Sequence, residues 1–517
     1  MTADDAANAS PASEETQRIR RRAIRGGSLF MAVRLGMQVV QWGTTLVVAR
    51  LLFPKDYGVI TAATVLLDFA DLLAAAGMGR ALVHKRDLTR SDQTQAFTVC
   101  FFLAGLLYAA LWFAAEPVGA DLGNADFSAF VRVLALVVWL VPIAAVANAL
   151  LERDLALGKQ SAVHVVMVLF QSALVLGMAW LGFGYWALGA GMILARVVQA
   201  GLVWYASKWR PGLAWPTADA WKLLKYGMTV SLGSMLWFVY SNADFAAIGK
   251  VRGEIALGIY AFAFQLISLP VQKLTANVNQ VAFAAFCRLQ DDLPRLRSWY
   301  LRLTVLLSAV AVPSLTGLAL VADDAIPLLL GEKWRGAVLS FQLLSPVGAL
   351  MVVAATMPPL LLALGRPDLN LRYTATCAIL YPPAFYGAAM LDGVRGVCIV
   401  WLVLYPILTG CLIHFTRTIT TVSLLDVIGV HRQILVGDAA MIAAVLAVRF
   451  VVPWEAWESP ALAVGARLVF SIVIGAATYT LWILAFARST VVADVFALLR
   501  EIRGKRTPES NGQRTST

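Results

Sequence analysis

The chain has 517 residues, 60% of them hydrophobic and only 14% charged, with a formal net charge of +11. Its mean hydropathy of +0.73 leaves too few polar side chains to cover a soluble globule, and no polar stretch is long enough to fold as a separate soluble domain. The basic excess would suit a nucleic-acid partner if it formed a patch, but it is dispersed between apolar runs, so nucleic acid is excluded as a partner.

Apolar runs of 18 or more residues recur along the sequence, each long enough to cross a hydrocarbon core of about 30 Å as a helix. Bounded by charges and turn residues, fourteen spans are predicted. They lie near 27–49, 57–78, 94–115, 128–150, 161–181, 185–206, 222–243, 256–285, 298–321, 337–363, 371–391, 394–416, 434–453 and 461–486. Residues 1–26 form a basic tail. The first apolar run has full helix length and no small-residue cleavage site behind it, so a retained span is expected, not a cleaved signal. The fold class predicted is therefore all-α: a polytopic transmembrane helical bundle.

An internal echo subdivides it. Phe53–Ile60 precedes the second span and Glu254–Ala261 enters the eighth, each with an acidic residue and a Tyr/Gly pair. Six spans separate them, so a parallel repeat is expected. The predicted organisation is an N-lobe (27–206), a linker (207–221), a C-lobe (222–416), a second linker (417–433), a C-terminal helix pair (434–486) and a tail (487–517).

The placement of Lys and Arg sets the orientation. With the N-terminus inside, 29 of the 42 fall on the inner side, seven on the outer side and six within spans. The positive-inside rule then puts both ends in the cytoplasm. The outer segments are short; the longest is expected near 322–336 and carries Asp323–Asp324 as a solvated acidic pair.

Charges within spans are the candidate functional residues, because each needs a partner, a cavity or a route to the interface. Arg132, Arg449 and Arg467 lie near span ends and are expected to snorkel. Arg34, Arg196 and Lys273 lie deeper; cations there would suit an anionic substrate, or would pair with buried acids. Asp68 and Asp71 share one helix face, and Asp244 stands beside Asn242 in span seven. These three acids are candidates for coupling or gating, with Arg34 or Arg196 as alternative partners for the first two and Lys250 or Arg252 for the third. Four scattered histidines and five single cysteines give no ligand set, so no metal and no cofactor are expected. The glycine-rich stretch 182–191 lacks the elements of a phosphate loop and instead predicts close packing of spans five and six.

At this point the residues resemble a known family. The run from Ala49 to Gly58 (ARLLFPKDYG) is similar to a signature of the oligosaccharide and polysaccharide flippases, as is Gly77–Val83 after it. Asn242–Asp244, Leu257–Tyr260, Phe286–Asp292 and Gly331–Trp334 resemble later landmarks in the same order. The branch is the Wzx-like exopolysaccharide exporters of the MOP superfamily. The resemblance implies two six-helix lobes with two added helices, alternating between inward- and outward-open states. Its implied substrate is an oligosaccharide repeat unit on undecaprenyl pyrophosphate, with membrane lipids, a polysaccharide polymerase and a chain-length regulator as partners. By likeness to lipid II flippases, spans one and eight would line a cationic cavity, which favours Arg34 and Lys273. No enzymatic activity is expected. A drug–cation antiporter of the same superfamily, with a more acidic cavity, and a membrane glycosyltransferase or polymerase stay open as alternatives; short outer segments oppose the last.

Overall fold

The computed structural model describes residues 36–486 apart from 155, 216 and 455–458. The basic tails and Arg34 lie outside the described residues. Among the described residues the chain is helical, without strands. Helix α1 covers residues 36–51. It is followed by α2 (Pro54–Ala75), α3 (Met78–His84), α4 (Arg90–Leu122), α5 (Phe127–Leu134), α6 (Val141–Arg153), α7 (Leu157–Trp180) and α8 (Tyr185–Ser207). Then come α9 (Ala218–Leu289), α10 (Leu293–Leu330), α11 (Ala337–Ala354), α12 (Met357–Ala363), α13 (Pro367–Thr420), α14 (Leu424–Val451) and α15 (Pro460–Phe486).

Eleven stretches of described helix are long and apolar enough to cross a membrane. Two of them, Ser231–Gln272 and Pro367–Thr420, each carry two predicted spans joined at a corner. These stretches cover the second to fourteenth predicted spans, and the described helix α1 overlaps the first. The corners fall at Gly253 (φ 77°) and at Asp392–Gly393, where Gly393 adopts φ 60° and ψ −136°. That is backbone which L side chains rarely adopt. Arg252 caps the second corner: its Nε donates to the Ala389 carbonyl at 3.1 Å and its Nη2 to Met390 at 3.3 Å. Carbonyls at a helix C-terminus have no partner of their own, so a guanidinium there satisfies them.

The predicted 322–336 segment is a correction. Helix α10 continues to Leu330, and a single 3-10 turn, Glu332–Trp334, leads to α11. Asp323 and Asp324 are therefore helical residues. In the short turn that remains, Arg335 holds Glu332 bidentately at 2.6 and 2.8 Å, which keeps this exposed carboxyl below its usual range.

The chain forms two compact units that divide between Met235 and Leu236. The division falls inside α9, not in the 207–221 segment. That segment lies along α4: the Ala214 amide donates to Thr98 Oγ1 at 3.1 Å, and the Thr217 hydroxyl to Gln95 Oε1 at 2.7 Å.

Several sequence landmarks turn out to be helix termini. Pro54 opens α2, and the Asp56 carboxylate accepts from the Phe53 amide at 2.8 Å and from the Tyr185 amide at 3.0 Å. One acid thus caps α2 and the start of α8 together, replacing partners that the first-turn amides lack. Thr89 with Asp92 and Ser423 with Asp426 form reciprocal capping boxes at α4 and α14. Asp292 caps α10 by accepting from the Arg295 amide. Phe286 and Trp334, from the later landmarks, are core side chains.

Small residues set the closest approaches. Gly191 of α8 sits against Val175 of α7, where an added Cβ would lie 2.1 Å from a Val175 methyl. The expectation drawn from 182–191 thus has a physical basis in the α7–α8 packing. The tightest backbone contact is at Gly77, which breaks α2 from α3 at φ 64°. A Cβ there would fall 2.2 Å from the Gly227 carbonyl oxygen. Gly77→Ala combines a left-handed backbone with a backbone clash and is expected to destabilise the protein by about 3 kcal/mol. Thermal unfolding in detergent checks this, with Gly177→Ala, whose added Cβ would meet nothing within 4 Å, as the unaffected control.

Candidate functional site

Two buried-charge constellations lie within the units, one in each, and unit 2 also holds a carboxylate bonded by neutral groups. In the first unit, Arg196 of α8 reaches across to α2. Its Nη2 lies 2.6 Å from Asp71 Oδ2 and 3.7 Å from Asp68 Oδ1. The predicted spacing of the two acids on one face of α2 explains why one guanidinium meets both. Asp71 is mostly buried and Asp68 half exposed. Together the three carry a net charge of −1, so Arg196 is not a bare cation here. Of the two readings the sequence allowed for it, the geometry realises the ion pair.

Of the other two predicted cations, Arg34 lies outside the described residues. Lys273 sits on α9, three residues after Pro270, and its side chain also falls outside what the structure describes.

In the second unit, Asp244 of α9 is fully buried. Neither Lys250 nor Arg252 is its partner in the hydrogen bonds seen. The Tyr260 hydroxyl donates to Oδ2 at 2.6 Å, Trp401 Nε1 of α13 donates to the same oxygen at 2.9 Å, and the Phe245 amide donates to Oδ1 at 2.8 Å. Trp401 Nε1 also lies 3.0 Å from the Tyr260 oxygen, closing a triangle. Around it stand Phe245, Phe264, Tyr381 and Phe385, with ring centroids 4.9 to 6.0 Å from Tyr260 or Trp401. A carboxylate in an aromatic cage with neutral donors is costly to keep charged and is satisfied only while this geometry holds.

The second constellation was not legible in the sequence. Asp324 of α10 is nearly inaccessible and is shared by two arginines. Arg467 of α15 binds it bidentately, and Arg449 Nη2 of α14 approaches it at 3.2 Å while its Nη1 donates to the Leu320 carbonyl at 2.6 Å. Arg449 and Arg467 were expected to snorkel alone; instead they tie α14 and α15 to α10. Arg132 does approach that expectation, stacking 4.7 Å over Trp112 and lying 3.5 Å from the exposed Glu116. Asp438, a further buried acid on α14, was also missed, although an acid inside the apolar run 434–453 was a signal available to be read.

Many continuous apolar helices long enough to span a bilayer define a multi-pass membrane protein. The polysaccharide biosynthesis protein family matches residues 47–339, and the chain belongs to that family. It is 24% identical over 400 residues to the lipopolysaccharide biosynthesis protein WzxC of Escherichia coli (strain K12), covering 76% of this chain and 80% of that one. It is 23% identical over 450 residues to the succinoglycan biosynthesis transport protein ExoT of Rhizobium meliloti (strain 1021), covering 86% and 89%. Among solved structures, the lipid II flippase MurJ in an inward closed conformation superposes with a TM-score of 0.72 at 10% identity, over 89% of this chain and 99% of that one. At that identity the likeness shows the fold.

Arg196→Met and Asp71→Asn are expected to be coupled by about 1–2 kcal/mol in a double-mutant cycle of detergent unfolding. Strict additivity would mean that the two side chains do not interact.

Proposed function

We propose that the chain is a flippase that carries undecaprenyl-pyrophosphate-linked oligosaccharide repeat units from the cytoplasmic to the periplasmic leaflet, for assembly of a cell-surface polysaccharide. The observation that carries this reading is family membership over residues 47–339, joined to a fold shared nearly end to end with a lipid II flippase. In this reading the membrane is a bacterial inner membrane and both ends lie in the cytoplasm, an orientation that the 29-to-7 distribution of Lys and Arg supports. Spans one to six and seven to twelve form the two lobes in this reading, followed by the α14–α15 pair. A polymerase and a chain-length regulator act next to it, on the periplasmic side.

The chemistry follows from the substrate. A pyrophosphate needs cations, and guanidinium is the best geometric match to phosphate oxygens. Arg34 and Lys273 supply charge to it, and Arg196 joins them by exchanging Asp71 for phosphate. Asp68 and Asp71 are then a gate: they neutralise Arg196 when substrate is gone. Asp244 is the coupling acid, since no cation is among the donors that bind it and a proton is the smallest charge compensation it can take.

The test uses a host deleted for the chain's own gene. Wild type is expected to restore surface polymer, whereas Arg34→Ala, Lys273→Ala and Asp244→Asn are each expected to reduce it by about tenfold or more at equal membrane abundance. Asp244→Asn keeps an acceptor for Tyr260 and Trp401, so it separates charge from packing. Normal export in all three would overturn this assignment of roles.

A further inference from the structure

The two arginines of the Asp324 constellation line an open cavity of about 510 Å³ between α10, α11, α14 and α15. Its size falls in the range of about 300–1,000 Å³ usual for small-ligand sites. Arg449 and Arg467 line it, and because they share the single carboxylate of Asp324, one positive charge there is uncompensated. Asp323, the next residue on α10, lines the same cavity. It is exposed, and Gln342 Nε2 donates to its Oδ2 at 3.0 Å. With Asp324 counted, the lining thus offers a cationic and an anionic pole and no net charge; Arg335, within electrostatic reach of Asp323 and Asp324, is held by Glu332.

Its rim is apolar and unburied. Leu446 and Phe450 of α14 line it, and Phe450 is 84% exposed. Depth is set by the helix ends. Arg449 lies two residues before the end of α14, and Arg467 seven residues into α15, roughly 10 Å at 1.5 Å per residue. The poles therefore stand near headgroup level, with the rim facing acyl chains.

We propose that this cavity binds the headgroup of a phosphoethanolamine lipid, its phosphate on Arg449 and Arg467 and its ammonium on Asp323. Charge balance selects this class. A glycerol headgroup brings the phosphate but puts no cation in contact with Asp323, whose side-chain bond is to Gln342. A choline headgroup brings a cation that has no N–H to donate. The exposed Phe450 and Leu446 favour a membrane lipid over a water-soluble phosphoethanolamine compound, because acyl chains cover them. An occupied site would join α10, α14 and α15 through the ligand as well as through Asp324.

The experiment is native mass spectrometry of the full chain, delipidated in detergent and titrated with phosphatidylethanolamine, phosphatidylglycerol or phosphatidylcholine of matched chains. Phosphatidylethanolamine is expected to be retained about tenfold more tightly than either competitor. Asp323→Asn keeps the Gln342 contact and the fold, and is expected to abolish the preference over phosphatidylglycerol. Arg449→Gln is expected to weaken all three lipids. Equal retention of the three lipids by wild type, an unchanged preference in Asp323→Asn, or displacement of the lipid by free phosphoethanolamine at matched concentration would each overturn the proposal.

Discussion

A charge taken out of water costs several kcal/mol unless something nearby answers it, and this cost organises the described interior of the protein. Arg196 is answered by Asp71 and Asp68 across α2 and α8. Asp324 is answered by Arg449 and Arg467 across α10, α14 and α15. Each set joins helices that are distant in sequence, so the charges do structural work that apolar packing alone would leave unspecific in a lipid solvent. The same constraint acts on the backbone: the corner at Gly393 has its orphan carbonyls met by Arg252, and the end of α3 has its carbonyls met by Arg153.

Asp244 is answered in another way. Its bonds come from neutral groups in an aromatic cage, and they link the two arms of α9 with α13 through Tyr260 and Trp401. Adding or removing one proton or substituting the side chain therefore changes a junction of three segments.

Hydropathy made the spans and the fold class legible, because a bilayer imposes a length and a polarity that any window of the sequence displays. The family landmarks were legible too, but their meaning was not. Asp56 reads as part of a signature, and its work is to cap α2 and α8 at once, across 129 residues. Asp324 reads as a solvated residue because its neighbour is also acidic and a turn follows. Its partners stand more than 120 residues downstream, and no local pattern encodes such a pairing. The acids at 68 and 71 were readable as a face because helical spacing is local, and their choice of Arg196 was one of two partners left open.

The central claim is that this protein moves a lipid-linked oligosaccharide between leaflets. It is tested most directly by reconstituting the purified chain into sealed vesicles loaded with an undecaprenyl-pyrophosphate oligosaccharide on the inner leaflet. Exposure of the sugar to an externally added glycosidase is then followed in time. The account predicts protein-dependent exposure well above that of protein-free vesicles. Exposure no faster than in protein-free vesicles, with an organic cation carried by the same preparation, would contradict it.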